Sequence, residues 1–164
     1  MSIRVQQEDF DVGTELQLLR VGKPDIGGVC SFVGLVREIV RPEESGKAIS
    51  AMTLEHYPGM TERALKKIEA EALERWPLAA SLIIHRYGKL QPGDQIVLVA
   101  AASAHRKAAF EACHYLIDWL KTRAPFWKFE DTAEGGQWVE ARNSDNTAAA
   151  RWSDSDIRKF GVSD

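Results

Sequence analysis

The chain has 164 residues, of which 45% are hydrophobic and 27% are charged, and its formal net charge is −3 at pH 7. These values favour one globular domain with a buried core and exclude an intrinsically disordered chain. The slight acidity argues against non-specific binding of nucleic acid, which requires a net basic surface. The longest apolar run, residues 96–102, is far shorter than the ~20 residues of a membrane-spanning helix, and MSIRVQQEDF lacks the apolar centre of a signal peptide. We therefore expect a cytoplasmic protein that contacts no membrane.

Strands and helices are predicted to alternate in the first half of the chain. SIRVQ has the composition of a strand, and DVGTELQLLRVG that of a short helix ending at Gly22. Residues 28–38 predict a buried strand in which Gly34 marks a bulge or a point of close approach, and the following EIVRPEESGK predicts a polar loop. Residues 48–57 alternate as a half-buried strand does, whereas PGMTERALKKIEAEALERWP repeats apolar residues at helical spacing and stops at Pro77.

The second half predicts a hairpin, a long helix and a smaller hairpin. SLIIHRYG and DQIVLVAAA are typical strands, joined by the Pro-Gly turn KLQPGD. A helix is expected from Ser103 to about Thr122, with Phe110 on its apolar stripe and Pro125 as its stop. FWKFEDT and QWVEAR predict two short strands around AEGG, and TAAARW predicts a last helical stretch.

The element pattern as a whole predicts an α+β fold. We expect a largely antiparallel sheet with two main amphipathic helices packed on it and a small C-terminal hairpin. No repeat or linker divides the chain, so residues 1–152 are predicted to form one domain. Residues 153–164 are expected to form a polar, poorly ordered tail.

The cysteines and three of the four histidines are predicted to have structural roles. Cys30 and Cys113 lie in apolar segments without CxxC or paired spacing, as buried core thiols do. His56, His85 and His114 lack the spacing of metal ligands, so we expect them to pack or to hydrogen-bond, and no metal site is predicted.

The segment SAHRK at residues 103–107 is the first candidate for chemistry, because a strand meets the long helix there. Ser103 is placed to be the N-cap of that helix. The first turn of a helix presents unpaired N–H groups and the positive end of the dipole, so His105 and Arg106 would complete a pocket for phosphate. The same residues also fit an ordinary solvated helix start.

The segment KTRAPFWK at residues 121–128 is the second candidate, because it gathers three cations in an acidic chain. Two ammonium groups close together disfavour each other's charge, which would suit Lys121 or Lys128 to proton transfer or nucleophilic attack. Cations near a helix end also complement the helix dipole, which accounts for Lys121 and Arg123 but not for Lys128 beyond Pro125. Arg37 and Arg142, each at the end of a predicted strand, suit bidentate contacts with an anion or simple surface exposure.

Five blocks in order, TLEHYPGM, RWPL, SAHR, KTRAPFWK and WVEAR, resemble the large, catalytic subunits of molybdopterin synthase. The resemblance spans roughly residues 3–152 and implies an α/β hammerhead-like fold. It implies a sulfurtransferase that moves two sulfurs from the C-terminal thiocarboxylate of a small ubiquitin-like subunit to cyclic pyranopterin monophosphate, precursor Z, to form the molybdopterin dithiolene. It also implies two large subunits back to back in a heterotetramer, with no metal or other cofactor at this step.

The resemblance assigns roles to six residues of this chain. It implies that Lys121 and Lys128 are catalytic and that the substrate is bound by Arg37, His105, Arg106 and Arg142. Arg106 and Lys121 lie fifteen residues apart on one predicted helix, which separates them by ~22 Å at 1.5 Å per residue. We therefore expect His105 and Arg106 to reach the site from a second large subunit. A non-catalytic module that docks a ubiquitin-like protein or carries a pterin phosphate is the alternative, although such a module would not need Lys121.

Overall fold

The computed structural model describes residues 2–37, 40–41, 47–48, 51–132, 135–139 and 143–152, which form an α+β fold as predicted. Its elements, in chain order, are β1 (Ser2–Gln6), α1 (Val12–Arg20), β2 (Gly28–Leu35), β3 (Val40–Arg41), β4 (Lys47–Ala48), β5 (Ala51–His56), α2 (Met60–Arg75), β6 (Leu78–Arg86), β7 (Gly88–Leu90), β8 (Gln95–Ser103), α3 (Arg106–Arg123), β9 (Phe126–Thr132), β10 (Gly135–Val139) and α4 (Asn143–Ala150). The predicted tail at residues 153–164 lies outside the described residues. Within the described part of the chain, no helix has the length and apolar character needed to cross a membrane.

The first sheet carries most of the hydrophobic core. Its strand order is β1-β6-β8-β2, with β1 parallel to β6 and the other pairs antiparallel. Helices α2 and α3 cover one face through buried side chains such as Leu65, Ile68 and Leu116. Helix α1 covers the other face, where Leu19 packs with the alternate residues of β6 and β8. Both faces are therefore covered, which explains why β6 and β8 are almost continuously apolar.

The second sheet corrects the prediction of one sheet with a separate C-terminal hairpin. Its order is β10-β9-β5-β7, all antiparallel, so the β9–β10 hairpin continues the sheet of β5. Part of the predicted KLQPGD turn is in fact β7, which pairs with β5 rather than with its sequence neighbours. Gly88, at φ +91°, allows the chain to leave β6 and enter this second sheet at once.

Two predictions for the segment between β2 and β5 were partly wrong. Strand β2 forms with the predicted bulge at Gly34, but it is an edge strand with exposed Val29, Phe32 and Leu35 rather than a buried one. The predicted loop EIVRPEESGK contains the two-residue strand β3 and the first residue of β4, with which β3 pairs. Composition cannot distinguish an edge strand from a central one, because both use the same β-branched and aromatic residues.

The start of α3 also differs from the prediction. The helix begins at Arg106 with His105 as its N-cap, whereas Ser103 is the last residue of β8. The Ser103 hydroxyl donates to the carbonyl oxygen of Pro77 at 2.8 Å and so ties β8 to the start of β6. Phe110, expected on the apolar stripe, is 63% exposed.

Candidate active site

The two predicted catalytic lysines flank the junction between α3 and β9. Lys121 lies in the last turn of α3 with its side chain exposed. Lys128 is the third residue of β9 and is registered opposite Leu54 of β5. Only Ala124 and Pro125 separate the two elements, so this short turn fixes the position of one lysine backbone relative to the other.

The three cations of KTRAPFWK have different surroundings. Arg123 donates to Glu71 at 2.9 Å and its guanidinium lies 3.3 Å from the ring centroid of Trp119, so its charge serves the packing of α3 on α2. Lys128 is partly buried, whereas Lys121 is exposed and has no ion pair among the residues that the structure describes. Lys121 is therefore the cation of this segment that remains available to a bound anion.

Lys128 is held by a buried carboxylate that the sequence analysis missed. Its Nζ lies 2.6 Å from Oε1 of Glu130, whose side chain is 2% exposed. The two residues lie two positions apart on β9, so both side chains point to the same face of the sheet, which also carries the buried core residues Met52 and Leu54 of β5. A lysine and a glutamate two residues apart on a strand next to an apolar core were a signal for such a pair. The carboxylate directs the ammonium group and supplies its counter-charge.

The start of α3 places His105 and Arg106 at an exposed helix N-terminus. The preceding loop packs directly on Gly27, whose N–H donates to the carbonyl oxygen of Ser103 at 3.1 Å. A Cβ atom at Gly27 would lie 2.1 Å from the carbonyl oxygen of Ala104, so this close approach requires glycine. The backbone at Gly27, just before β2, thus fixes where the two basic residues begin the helix.

Arg37 and Arg142 complete the predicted set. Arg37 is exposed, and its backbone position is set by the preceding residue, Val36. The N–H of Val36 donates to the backbone carbonyl oxygen of Asp94 at 2.9 Å, and its side chain packs in the core of the second sheet. Arg142 lies outside the described residues.

The five described basic residues of the predicted site fall into two groups at opposite ends of the first sheet. Gly28, next to the backbone of Arg106, begins β2, and Leu35 ends it roughly 23 Å away at 3.3 Å per residue. The turn between the two lysines lies near this far end of β2. Its residue Phe126 stacks on His85 of β6, and His85 is aligned across β8, through Val97, with Gly34 of β2. One chain therefore brings Arg37, Lys121 and Lys128 to one end and leaves His105 and Arg106 at the other.

The comparisons with known proteins agree with this architecture. The family model described as "MoaE protein" matches residues 5–123. The chain belongs to the MoaE family. Several curated relatives are named molybdopterin synthase catalytic subunit. The relative from Pseudomonas aeruginosa is 58% identical, over 93% of this chain and 99% of its own length. The relative from Ralstonia nicotianae is 56% identical, over 92% of this chain and 84% of its own length. A solved MoaE structure from Burkholderia ambifaria MC40-6, described as a molybdopterin biosynthesis protein, superimposes with a TM-score of 0.77 at 50% identity and covers 93% of this chain and 99% of its own.

Proposed function

We propose that this chain is the catalytic subunit of a molybdopterin synthase and acts as a sulfurtransferase. It would transfer sulfur from the C-terminal thiocarboxylate of a small ubiquitin-like subunit to precursor Z, and two such transfers would form the dithiolene. Membership of the MoaE family and the shared name of its relatives support this activity. The observation that carries it is the placement of Lys121 and Lys128 on either side of one short turn, beside which both anionic reactants would bind.

Lys121 is proposed to act on the thiocarboxylate. The thiocarboxylate sulfur would first replace an oxygen on a carbon of precursor Z, and water would then add to the acyl carbon. The tetrahedral intermediate carries an oxyanion until the acyl C–S bond breaks, which leaves the sulfur on the pterin and a carboxylate on the small subunit. An exposed ammonium group without an ion pair among the described residues can turn toward that oxyanion and stabilise it. Lys128, directed by Glu130, would anchor the pterin or relay a proton, and its restrained ammonium suits a fixed contact better than a moving one.

The remaining basic residues are proposed to hold the phosphate of precursor Z. Arg37, His105, Arg106 and Arg142 would attract the phosphate monoester more strongly than the cyclic diester, because ring opening adds negative charge. This difference favours the reaction in the direction of the product. The N-terminus of α3 adds unpaired backbone N–H groups to the same attraction.

Because the two basic groups lie at opposite ends of one chain, we infer that the working enzyme contains two copies. The edge strand β2 exposes apolar Val29, Phe32 and Leu35, and α3 exposes Phe110 one turn after Arg106. A second copy covering this surface would bury the apolar side chains and carry its His105 and Arg106 toward the lysines of the first copy. One small subunit per large subunit then completes a heterotetramer.

The activity is tested by mixing the purified chain with a thiocarboxylated small subunit and precursor Z and by following molybdopterin as its fluorescent oxidation product. The Lys121→Ala variant should lose turnover by about a hundredfold or more while it keeps its fold and its binding of the small subunit. Lys66→Ala, which removes an exposed lysine from α2, is the matched control and should remain active. If the wild-type mixture only forms a complex and yields no molybdopterin, the chain is a docking module.

The shared site is tested by complementation. Lys121→Ala and Arg106→Ala variants, each inactive alone, should regain part of the activity when they are mixed and allowed to exchange subunits. A Phe32→Asp, Phe110→Asp double variant should sediment as a monomer and should not complement either of them. Absence of complementation in a mixture that demonstrably forms hybrid dimers would place all catalytic groups in one chain.

A further inference from the structure

We propose that Thr61 and His85 are positioning residues that hold the turn between the two lysines. The proposal rests on the proposed function, because it assigns to both residues the alignment of Lys121 with Lys128. Neither residue belongs to the basic groups described above, and both contact the Pro125–Phe126 segment from elsewhere in the fold, Thr61 from α2 and His85 from β6.

The turn itself is short and poorly restrained by its own backbone. Helix α3 ends with the N–H of Ala124 donating to Leu120 at 3.3 Å, and the N–H of Phe126 then donates to Ala124 at 2.9 Å. Pro125 has no N–H, so it cannot add a backbone bond of its own. Lys121 lies on one side of this turn and Lys128 on the other. Pairing with β5 holds β9 from Phe126, opposite His56, onward, so contacts with the turn itself set the angle between α3 and β9.

Thr61 supplies the first tertiary contact. Its side chain is fully buried, and its hydroxyl accepts from the N–H of Tyr57 at 3.1 Å and donates to the carbonyl oxygen of Pro125 at 3.3 Å. One hydroxyl group thus links the connection between β5 and α2 to the turn between α3 and β9. Only a side chain that both donates and accepts can make this bridge, so serine can replace threonine but valine cannot.

His85 supplies the second contact. Its ring is buried and stacks on Phe126, with centroids 3.6 Å apart and planes 16° from parallel. Nδ1 of His85 lies 2.8 Å from the carbonyl oxygen of Arg86, so Nδ1 is the protonated nitrogen of the neutral ring. The stack joins β6 of the first sheet to β9 of the second, and it fixes the first residue of the strand that carries Lys128.

These two contacts explain how the lysine geometry is maintained. Thr61 restrains the carbonyl group of Pro125, and His85 restrains the next side chain. A displacement of about 1 Å at a catalytic group can cost about a hundredfold in rate, so loosening either contact should reduce turnover although neither residue touches the reactants. Binding of precursor Z and of the small subunit should change much less.

Four variants at the two positions, with Ser81→Ala as a control, test the proposal. Thr61→Val, which keeps the shape and removes the hydroxyl, should lower kcat by about tenfold or more with KM changed by less than about twofold, whereas Thr61→Ser should remain close to wild type. His85→Leu should lower kcat likewise, and His85→Phe, which keeps a flat ring against Phe126, should recover most of it. Ser81→Ala removes another fully buried hydroxyl, one bonded to Glu69, and should destabilise the fold without this loss of kcat.

Hydrogen exchange gives a second test that does not depend on activity. Peptides covering residues 121–128 should exchange faster in Thr61→Val and His85→Leu than in wild type, Thr61→Ser or Ser81→Ala. If the wild-type complex makes no molybdopterin, the proposed function fails, and exchange alone then decides the role of Thr61 and His85. Unchanged exchange in this segment, or equal kcat in Thr61→Val and wild type, would overturn the positioning role and leave the proposed function intact.

Discussion

The interaction free energy of the ion pair between Lys128 and Glu130, whose carboxylate is buried, should exceed that of an ion pair with both partners exposed. At 2.6 Å and an effective dielectric constant of about 20, the attraction between two unit charges is about 6 kcal/mol. Lys128 is 31% exposed, so water screens part of this attraction, while the 2% exposure of Glu130 prevents water from replacing its partner. We expect a net coupling of about 3 kcal/mol.

A double-mutant cycle measures this coupling. The free energy of unfolding in urea is determined for wild type, Lys128→Met, Glu130→Gln and the double variant, and the coupling is the departure from additivity. The control cycle removes Arg123 and Glu71, which lie 2.9 Å apart but are 42% and 27% exposed and should couple by about 1 kcal/mol or less. Molybdopterin formation is measured in the same variants, and Glu130→Gln should lose turnover because Lys128 is no longer directed.

Two results would refute this reasoning. A coupling below about 0.5 kcal/mol would mean that Glu130 neither holds nor orients the ammonium group. Full activity in Glu130→Gln together with strong coupling would mean that the pair is structural and that the direction of Lys128 does not affect the chemistry.

Three further predictions concern other parts of the chain. Burial lowers the pKa of His85 from 6.5 to about 4, so between these two pH values the unfolded chain binds a proton that the folded chain excludes. As pH drops from 6.5 to 4, the free energy of unfolding, measured by urea denaturation, should therefore fall by about 3 kcal/mol more in wild type than in His85→Phe. Gly27→Ala should lower the unfolding midpoint and weaken binding of precursor Z, because the new methyl group would clash with the carbonyl group of Ala104. Gly28→Ala is the control and should change neither property, because a Cβ atom there would lie 3.8 Å from Cα of Arg106, an ordinary van der Waals distance. Burial raises the pKa of the Cys113 thiol, so mass spectrometry after alkylation at pH 8 should find it unmodified until the protein unfolds.

The sequence was most informative where one element determines its own pattern. The helical spacing of Leu65, Ile68 and Ala72 predicted α2, and all three are buried on one face. Alternation predicted a half-buried strand over residues 48–57, and Met52 and Leu54 of β5 are buried as that pattern requires. These patterns are local, because a helix or strand with one covered face repeats apolar residues at its own period.

The sequence was least informative where distant segments decide the structure. Strand β7 pairs with β5 across more than thirty residues, and nothing in the three residues Gly88–Leu90 indicates that partner. Ser103 has the residue type of an N-cap, and its hydroxyl accepts a long bond from the N–H of His105 at 3.4 Å, but it donates to Pro77 at 2.8 Å and the helix begins three residues later. A non-local hydrogen bond thus overrode a local preference.

The site divides in the same way. Motifs identified Lys121, Lys128, Arg37, His105 and Arg106 as candidates, and the helical rise alone separated Arg106 from Lys121. His85 was correctly predicted to be a packing residue, since it is buried against Phe126, but which residue it packs against could not be predicted. Glu130 and Thr61 were missed because their roles depend on neighbours from β9, β5 and α2 that only the fold brings together.

The placement of paired and unpaired cations in the described residues explains how a chain with a net negative charge could bind the two anions of the proposed reaction. Arg123 is paired with Glu71 and Lys128 with Glu130, so acidic side chains neutralise the cations that the fold uses to hold α3 and β9. Lys121, Arg37 and the α3 N-terminus remain exposed at two separate ends. Among the residues that the structure describes, the candidate cations are divided between these two ends, and an assembly that joins one end of one copy to the other end of the next would gather them into one anion-binding cleft. If the proposed dimer is the active form, activity should fall on dilution below its dissociation constant, and added salt should weaken substrate binding more than it lowers the free energy of unfolding.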